Sequence, residues 1–335
     1  MASFYTKSHV GTITRRFGLR PLKFRWIPSL YRKNAVIRIQ TSTESYALKP
    51  YIRSTLLQSS TVHQMKTTAD LIQLLMNNGY SYMPQWLYAD SGKLWIVDKG
   101  RPFYITEWIH GRGLVESGDF EKLGRAIATL HTTSNDLLHT KKANSFTLKQ
   151  IRLRKIEDRL FHRRMERAVQ NNGKYRRWYK KHGKACKRLS DQLWTDMKDP
   201  EIVDLLNQEY TRPALIHGDI TSTNVIVSDD GRLFIIDWDR VKIDSIYVDL
   251  ARALVNTTQF NPEFIRSSLK GYEEIKPLHR AERRLITALY RLPREAWIAA
   301  RFPGRKRSGQ LLDMMDTTWS SRLEAIKLLD EWAHQ

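Results

Sequence analysis

Residues 215–250 constrain the fold more than any other stretch of the chain. The motif His217-Gly218-Asp219 follows two apolar residues, and Asn224 comes five positions after Asp219. Ser228-Asp229-Asp230-Gly231 then separates two short apolar runs, and an Asp-Gly pair between such runs is typical of a tight β-hairpin turn. Asp237 ends the second run. The segment therefore predicts a polar loop, a hairpin and a carboxylate at the end of a strand.

This arrangement of polar groups suits phosphoryl transfer. The reaction needs a carboxylate to accept a hydroxyl proton and oxygen ligands that hold Mg²⁺ on the phosphates. Mg²⁺ prefers one or two carboxylates together with phosphate oxygens and water. The spacing predicts Asp219 as the base, Asn224 and Asp237 as the metal ligands, and His217 as the residue that orients the loop around Asp219.

The same residues carry a family resemblance. Their pattern resembles that of aminoglycoside phosphotransferases, choline kinases and related enzymes, which are relatives of the protein kinases. The matching residues are His217, Asp219, Asn224 and Asp237. Within this group the chain looks most like the bacterial spore coat protein S family of kinase-like proteins. The segments behind the finer resemblance are Leu48-Lys49-Pro50, 107–112, Gly271-Tyr272, Pro277-Leu278 and Glu282, whereas Asp249-Leu250-Ala251 resembles the later Asp-Leu-Ala of the broader group.

The resemblance implies a two-lobe, protein-kinase-like α+β fold. We expect a small antiparallel β lobe over residues 1–110 and a larger, mainly helical lobe over residues 111–335. It implies ATP and Mg²⁺ as cofactors, with Lys49 on the nucleotide phosphates. Contacts to the adenine base are expected at Glu107, Trp108 and Ile109.

Local patterns predict how the first lobe is built. Strands are expected at 22–30, 35–40, 46–51, 85–88, 93–97 and 102–108, where β-branched and aromatic residues are frequent. Apolar residues at helical spacing predict a helix over residues 61–77. After residue 110, His110 to Gly113 are expected to form a linker.

Net charge separates one region from the rest. The chain carries 56 Lys and Arg against 35 Asp and Glu, a net charge of +21. Residues 141–190 alone hold 18 Lys or Arg and three acids, and aromatic residues interleave with them. We expect a basic helical insertion over residues 141–210. Three interpretations stay open: docking of an acidic protein or spore coat assembly, a solvated helical face, or nucleic-acid binding.

Composition excludes other classes of protein. With one cysteine, Cys186, the chain cannot build an internal disulfide framework or a cysteine-rich zinc site. No apolar run reaches the roughly 18 residues of a membrane-spanning helix, and the N-terminus lacks the apolar segment of a signal peptide. We expect a cytoplasmic protein, with the spore coat as the alternative location.

Two departures from active kinases keep an alternative function open. Residues 28–35, where such enzymes often carry phosphate-binding glycines, contain none. The helix expected at 61–77 contains no Glu to pair with Lys49, and Asp70 is its one acid. The leading hypothesis is an ATP-dependent phosphotransferase acting on a small-molecule or protein hydroxyl. The alternatives are a catalytically weak or inactive structural spore coat protein and a basic nucleic-acid-binding protein.

Overall fold

The structure, a computed structural model, describes residues 5–28, 36–51, 62–133, 146–170, 174–208, 214–303 and 305–335. The chain folds into two compact units. The sheet unit comprises Met1–Leu114, His217–Asp219 and Thr223–Lys242. The helical unit comprises Val115–Ile216, Ile220–Ser222 and Ile243–Gln335. The predicted division assigned the whole of 111–335 to the larger lobe, whereas the hairpin around Asp237 packs with the N-terminal residues.

The described strands are short and mostly antiparallel. They are β1 (Lys23–Ile27), β2 (Val36–Gln40), β3 (Ser45–Pro50), β4 (Ile96–Asp98), β5 (Arg101–Glu107), β6 (Gly111–Arg112), β7 (Ala214–Ile216), β8 (Val225–Ser228), β9 (Leu233–Ile235) and β10 (Lys242–Asp244). Five of them form one antiparallel sheet in the order β1-β2-β3-β5-β4, and β6-β8-β9 form a second. Strands β7 and β10 form a two-stranded sheet.

The described helices are α1 (Lys7–Arg15), α2 (Val62–Asn77), α3 (Ser117–Thr132), α4 (Phe146–Gln170), α5 (Lys174–Asp196), α6 (Pro200–Gln208), α7 (Ile246–Thr257), α8 (Pro262–Ile275), α9 (Arg280–Tyr290), α10 (Arg294–Arg301), α11 (Lys306–Thr317) and α12 (Trp319–His334). Helices α1 and α2 lie in the sheet unit, and α3 to α12 lie in the helical unit. None of the helices in the described ranges is long and apolar enough to cross a bilayer.

Alternation along the strands builds the core of the sheet unit. Ile37 and Ile39 on β2 and Leu48 on β3 are each at most 2% exposed, because every second residue of a strand faces the same side. Val10 and Ile13 of α1 pack into the same cluster. The first helix thus packs against the face of the sheet that carries Leu48 of β3.

Helices α3 and α8 of the helical unit approach each other unusually closely. A Cβ placed on Gly124 of α3 would lie 2.0 Å from the Ser268 carbonyl oxygen, and one on Gly271 of α8 would lie 2.0 Å from the Glu121 carbonyl oxygen. The rings of Phe120 and Phe264 stack in the same interface, with centroids 4.1 Å apart. Glycine is therefore required on both helices for this packing distance.

We expect Gly124→Ala to destabilise the protein. The added methyl group meets backbone atoms, which cannot move aside as a side chain can, and overpacking of this kind costs about 1–3 kcal/mol or more. The measurement is the thermal unfolding midpoint, with Gly118→Ala as the matched control. Gly118 lies on the same helix with no atom within 4 Å of an added Cβ, so alanine there should hold or raise the midpoint. Equal midpoints for both variants would contradict the close packing.

The observed architecture confirms the predicted α+β fold of an antiparallel β part and a larger helical part. The strands expected near β1, β2, β3 and β5 and the helix near α2 are present. Two predictions are wrong. Residues 85–88 form no strand and contribute only an isolated bridge between Trp86 and Thr106, and Gly111–Arg112 form a strand rather than a linker.

Candidate active site

The hairpin of β8 and β9 carries the predicted polar residues within the sheet unit. Val225 pairs with Ile235 and Val227 with Leu233 across the hairpin. Strand β6 adds to its edge, and a Cβ on Gly111 would lie 2.1 Å from the Val227 carbonyl oxygen. Only glycine allows this approach. The strand that was expected to be a linker therefore anchors the hairpin.

His217 is fully buried and connects the two ends of the site. Its Nε2 lies 3.1 Å from the carbonyl oxygen of Ile236, and its Nδ1 lies 3.3 Å from the backbone nitrogen of Asp219. The first interaction requires a proton on Nε2, and the second requires a bare Nδ1, so together they select one neutral tautomer. The ring also packs edge-on against Trp238, with centroids 4.6 Å apart. His217 thus ties the loop of Asp219 to the residue that precedes Asp237.

Asn224 fixes the same loop from the other side. It ends a 3₁₀ turn, Ser222–Asn224, and its Nδ2 donates to the Asp219 carbonyl oxygen at 2.9 Å. The backbone carbonyl oxygen of Asn224 accepts from the backbone nitrogen of Ile236 at 2.8 Å. Because the side-chain nitrogen is already used, the side-chain oxygen of Asn224 is the atom that remains to bind a ligand.

Asp237 adopts a backbone conformation that few residues tolerate. Its φ is +68° and its ψ +57°, the left-handed region that Asp and Asn enter more readily than most side chains. Such a conformation costs on the order of 1–3 kcal/mol and is concentrated at functional sites. Its carboxylate is 40% exposed and is therefore open to a ligand.

Lys49 reaches Asp237 from strand β3. Its Nζ donates to Oδ1 of Asp237 at 2.5 Å, although the two residues are far apart in sequence. Burial alone would raise the pKa of Asp237, but the Lys49 ammonium and a weaker contribution from Arg240 lower it below its usual value. Burial likewise opposes the charged form of Lys49, and Asp239 and Asp237 overcome this effect to raise its pKa. Both groups are therefore charged at neutral pH.

Asp239 is a second acid beside Lys49 that the sequence analysis did not single out. Its Oδ1 lies 3.9 Å from Lys49 Nζ and accepts a hydrogen bond from the hydroxyl of Tyr104. Burial, followed by the charges of Asp239 and Asp237, raises the pKa of Tyr104 well above its usual value, so this hydroxyl stays a donor. Its signal in the sequence is a second acid two residues after Asp237, which lies outside the pattern of His217, Asp219, Asn224 and Asp237.

Arg240 balances part of the negative charge. Its Nε lies 3.7 Å from Oδ2 of Asp219, and the Asp219 side chain is 29% exposed. The group then holds three carboxylates, Asp219, Asp237 and Asp239, against two cations, Lys49 and Arg240. This excess of negative charge favours the binding of a cation.

The donor set fits Mg²⁺ in company with phosphates. No three His, Cys, Asp or Glu side chains in the described part of the chain lie close enough together to hold a metal ion. Asn224 and Asp237 offer one amide oxygen and one carboxylate, and Mg²⁺ commonly takes such a pair together with phosphate oxygens and water. The residues present therefore suit an ion that arrives with a nucleotide.

The predicted adenine contacts lie just after strand β5. The backbone nitrogens of Glu107 and Trp108 donate to the carbonyl oxygens of Gln85 and Ser45, at 2.9 Å and 3.0 Å. Within the described residues the backbone nitrogen of Ile109 has no such acceptor. The Arg38 guanidinium lies 5.1 Å from the centroid of the Trp108 ring. The glycine-poor loop that was predicted to lie over the phosphates falls almost entirely outside the described residues, which end at 28 and resume at 36.

Known proteins share both the sequence pattern and the fold. The signature described as "Phosphotransferase enzyme family" matches residues 31–286. The chain belongs to this family. The predicted relation to aminoglycoside phosphotransferases is thereby confirmed at the level of the family. No curated protein matches the sequence.

Solved phosphotransferase structures extend the match over the whole chain. An aminoglycoside phosphotransferase from Alicyclobacillus acidocaldarius has a TM-score of 0.81 at 14% identity and covers 100% of this chain and 98% of its own. A microcompartment-associated aminopropanol kinase has a TM-score of 0.63 at 16% identity, with coverages of 97% and 98%. A spectinomycin phosphotransferase, solved with ADP and spectinomycin, has a TM-score of 0.60 at 17% identity, with coverages of 98% and 94%. At these identities the similarity establishes the fold.

Proposed function

We propose that the protein transfers the γ-phosphate of ATP to a hydroxyl group with the help of Mg²⁺. Asp219 accepts the proton of the attacking hydroxyl, and Lys49 binds the nucleotide phosphates. Asn224 and Asp237 hold the metal, which when bound neutralises charge on the phosphates. His217 keeps the loop of Asp219 at a fixed distance from Asp237. Catalysis of this kind depends on positioning and electrostatics rather than on covalent chemistry by the protein.

One observation carries the proposal: Lys49 Nζ lies 2.5 Å from Asp237 Oδ1. A lysine from one sheet and a strained aspartate from another hairpin meet, and the His217–Asp219–Asn224 network adjoins them. A buried lysine and aspartate could form a purely structural ion pair. The left-handed backbone and the 40% exposure of Asp237 favour a ligand site instead, since a structural pair needs neither.

Asp239 takes the place of the helix glutamate that α2 lacks. In kinase-like enzymes a second carboxylate holds the phosphate-binding lysine in place. Here Asp239 lies 3.9 Å from Lys49 Nζ and is itself held by the Tyr104 hydroxyl. The position of the lysine is thus fixed without an acid from the helix. This favours an active enzyme over a structural protein that merely keeps the fold.

Backbone groups after β5 would form the hydrogen bonds to the adenine base. With the backbone nitrogens of Glu107 and Trp108 already bonded, we propose that the Ile109 N–H is the group that donates to adenine. The half-buried side chains of Trp108 and Ile109 would supply apolar contact beside the base. The sheet unit alone would then provide contacts to both ends of the nucleotide.

The acceptor is proposed to be a small molecule with a hydroxyl group. Two structural neighbours are described as a spectinomycin phosphotransferase and an aminopropanol kinase. The experiment is transfer of label from γ-labelled ATP to a panel of amino alcohols, aminoglycosides and sugars, with and without Mg²⁺. We expect Mg²⁺-dependent labelling of at least one acceptor by the wild type and none by Lys49→Met. Labelling of equal extent by both proteins would overturn the proposal.

We expect Asp239→Asn to lower kcat/KM by about 10- to 100-fold. A hydrogen bond or contact to a charged group contributes about 1.5–3 kcal/mol, and each 1.4 kcal/mol is tenfold in rate. The control is Asp70→Asn, which removes the one acid of α2, an exposed residue. If instead Asp70→Asn reduced kcat/KM and Asp239→Asn did not, the lysine would be held by the helix and our assignment would be wrong.

The finer resemblance supports a proposed cellular role. We propose that the protein is a relative of the spore coat protein S family, made in the cytoplasm and associated with the spore coat. Its basic helix α4 exposes Arg152, Lys155 and Arg159 at helical spacing, which suits an acidic protein partner in that assembly. Fractionation of spores with an antibody to this chain tests the role. Absence from the coat fraction would remove it.

A further inference from the structure

Three arginines meet at one small cavity in the helical unit. They are Arg154 of α4, Arg252 of α7 and Arg294 at the start of α10. The rest of the cavity wall comes mainly from apolar side chains of α7 and α9, together with Tyr290. The cavity volume is about 10 Å³, which is about the room that one water-sized atom needs. All three arginines are half-buried, and the Nε of Arg252 is itself buried.

No acid forms an ion pair with this cluster among the residues that the structure describes. Arg154 donates to the carbonyl oxygen and the side-chain oxygen of Gln150, at 3.2 Å and 2.9 Å. Across the same residues neither Arg252 nor Arg294 forms an ion pair, and the buried Nε of Arg252 has no hydrogen-bond partner. Buried donors in folded proteins nearly always have a partner. An unpartnered guanidinium nitrogen beside two further arginines therefore calls for an acceptor.

The two acids that influence the cluster are already engaged elsewhere. Asp244 accepts from Gln150 Nε2 at 3.0 Å and from the backbone nitrogen of Ser245 at 2.8 Å. Glu295 accepts from Arg322 at 2.7 Å through Oε1, whereas its buried Oε2 has no hydrogen-bond partner among the described residues. Both carboxylates thus bind donors outside the cluster.

The charges of the cluster work against each other. Burial first, and then the positive charges of Arg252 and Arg154, lower the pKa of Arg294 to about 9. Burial and Arg252 lower the pKa of Arg154 to about 10. Arginine ordinarily stays protonated at any pH a protein experiences. Three cations held together in this way need a compensating anion to be stable.

We infer that Arg154, Arg252 and Arg294 together bind one phosphate group. A cavity for a single oxygen-sized atom would take one phosphate oxygen, with the others directed toward solvent. Guanidinium groups present several N–H donors in a planar fork that matches phosphate oxygens. The phosphate is either free inorganic phosphate or the end of a larger phosphate ester. This inference concerns the helical unit only and does not rest on the proposed phosphotransferase activity.

The test follows the thermal unfolding midpoint as inorganic phosphate is added at constant ionic strength, with chloride as the exchanged anion. A ligand that binds only the folded protein raises the midpoint with its concentration. We expect a rise of about 2–4 °C for each tenfold increase above the dissociation constant. Glycerol phosphate in place of inorganic phosphate separates the two sources: a larger rise indicates an ester, and an equal or smaller one indicates the free ion.

Matched variants show whether the arginine cluster causes the rise. Arg252→Gln should abolish the phosphate response and unfold no lower than the wild type in phosphate-free buffer, because it relieves repulsion. If Arg252→Gln fails to fold, Arg294→Gln is measured in its place and should likewise abolish the phosphate response. Arg152→Gln removes an exposed arginine of the same helix as Arg154, so it should keep the full response. Lys49→Met should also keep it, which excludes binding at the proposed nucleotide site.

The inference is overturned by any of three results. Phosphate could leave the wild-type midpoint unchanged, or Arg252→Gln could respond as strongly as the wild type. An equal loss of response in Arg152→Gln would show that phosphate acts on the general surface charge of this basic protein and not at the cavity.

Discussion

Asp237→Asn is expected to reduce kcat/KM for phosphoryl transfer by about a thousandfold or more. The substitution keeps the shape of the side chain but removes the charge that pairs with Lys49 and would hold the metal. A metal ion contributes several kcal/mol to stabilising charge in the transition state, and about 4 kcal/mol is a factor of a thousand. The measurement is the initial rate of label transfer at saturating Mg²⁺.

The matched control for this prediction is Asp229→Asn. Asp229 lies in the turn of the same hairpin, is exposed and undergoes the same change of charge. It should retain wild-type kcat/KM. If Asp237→Asn also retained it, then the ion pair with Lys49 would be structural and the metal would be held elsewhere or not at all.

Asp219→Asn is expected to separate chemistry from binding. An amide cannot accept the proton of the hydroxyl, and general base catalysis contributes about 10²- to 10⁴-fold to rate. We therefore expect kcat to fall by that factor. The affinity for nucleotide should change by only a few fold, because Asp219 contributes no ligand to the metal in this proposal. Rates measured over a range of ATP concentrations give both quantities.

The contrast between the two aspartates is itself a test. Asp237→Asn should weaken Mg²⁺-dependent nucleotide binding and slow transfer, whereas Asp219→Asn should slow transfer alone. A folded-state control is the thermal unfolding midpoint of each variant without ligand. Should Asp219→Asn lose nucleotide affinity to the same degree as Asp237→Asn, the roles of base and metal ligand assigned here would be incorrect.

Local chemistry explains why the hairpin of the candidate active site could be predicted. His217, Asp219, Asn224 and Asp237 lie within about twenty residues, joined by a turn whose Asp-Gly pair is visible in the sequence. The strand of Lys49 could be predicted because the aromatic residues Tyr46 and Tyr51 mark it. In the structure Lys49 contacts Asp237. The motif suggests this contact, but the spacing of residues along the chain cannot show it.

Long-range packing explains what could not be predicted. Asp239 gains its importance from Tyr104 and Lys49, which lie far away in sequence. The edge strand at Gly111 exists because a backbone approaches within a distance that only glycine permits. The arginine cluster joins α4, α7 and α10, and neither α10 nor its Arg294 stands out by composition. Each of these features belongs to the tertiary structure and has no local pattern.

The central claim is that Lys49, Asp219, Asn224 and Asp237 serve one nucleotide with its magnesium ion. Calorimetric titration with a non-hydrolysable ATP analogue, with and without Mg²⁺, tests it most directly. We predict that Mg²⁺ tightens binding to the wild type at least tenfold and that Asp237→Asn loses this dependence while Asp229→Asn keeps it. Binding of the analogue with the same affinity in all three proteins, regardless of Mg²⁺, would contradict the account.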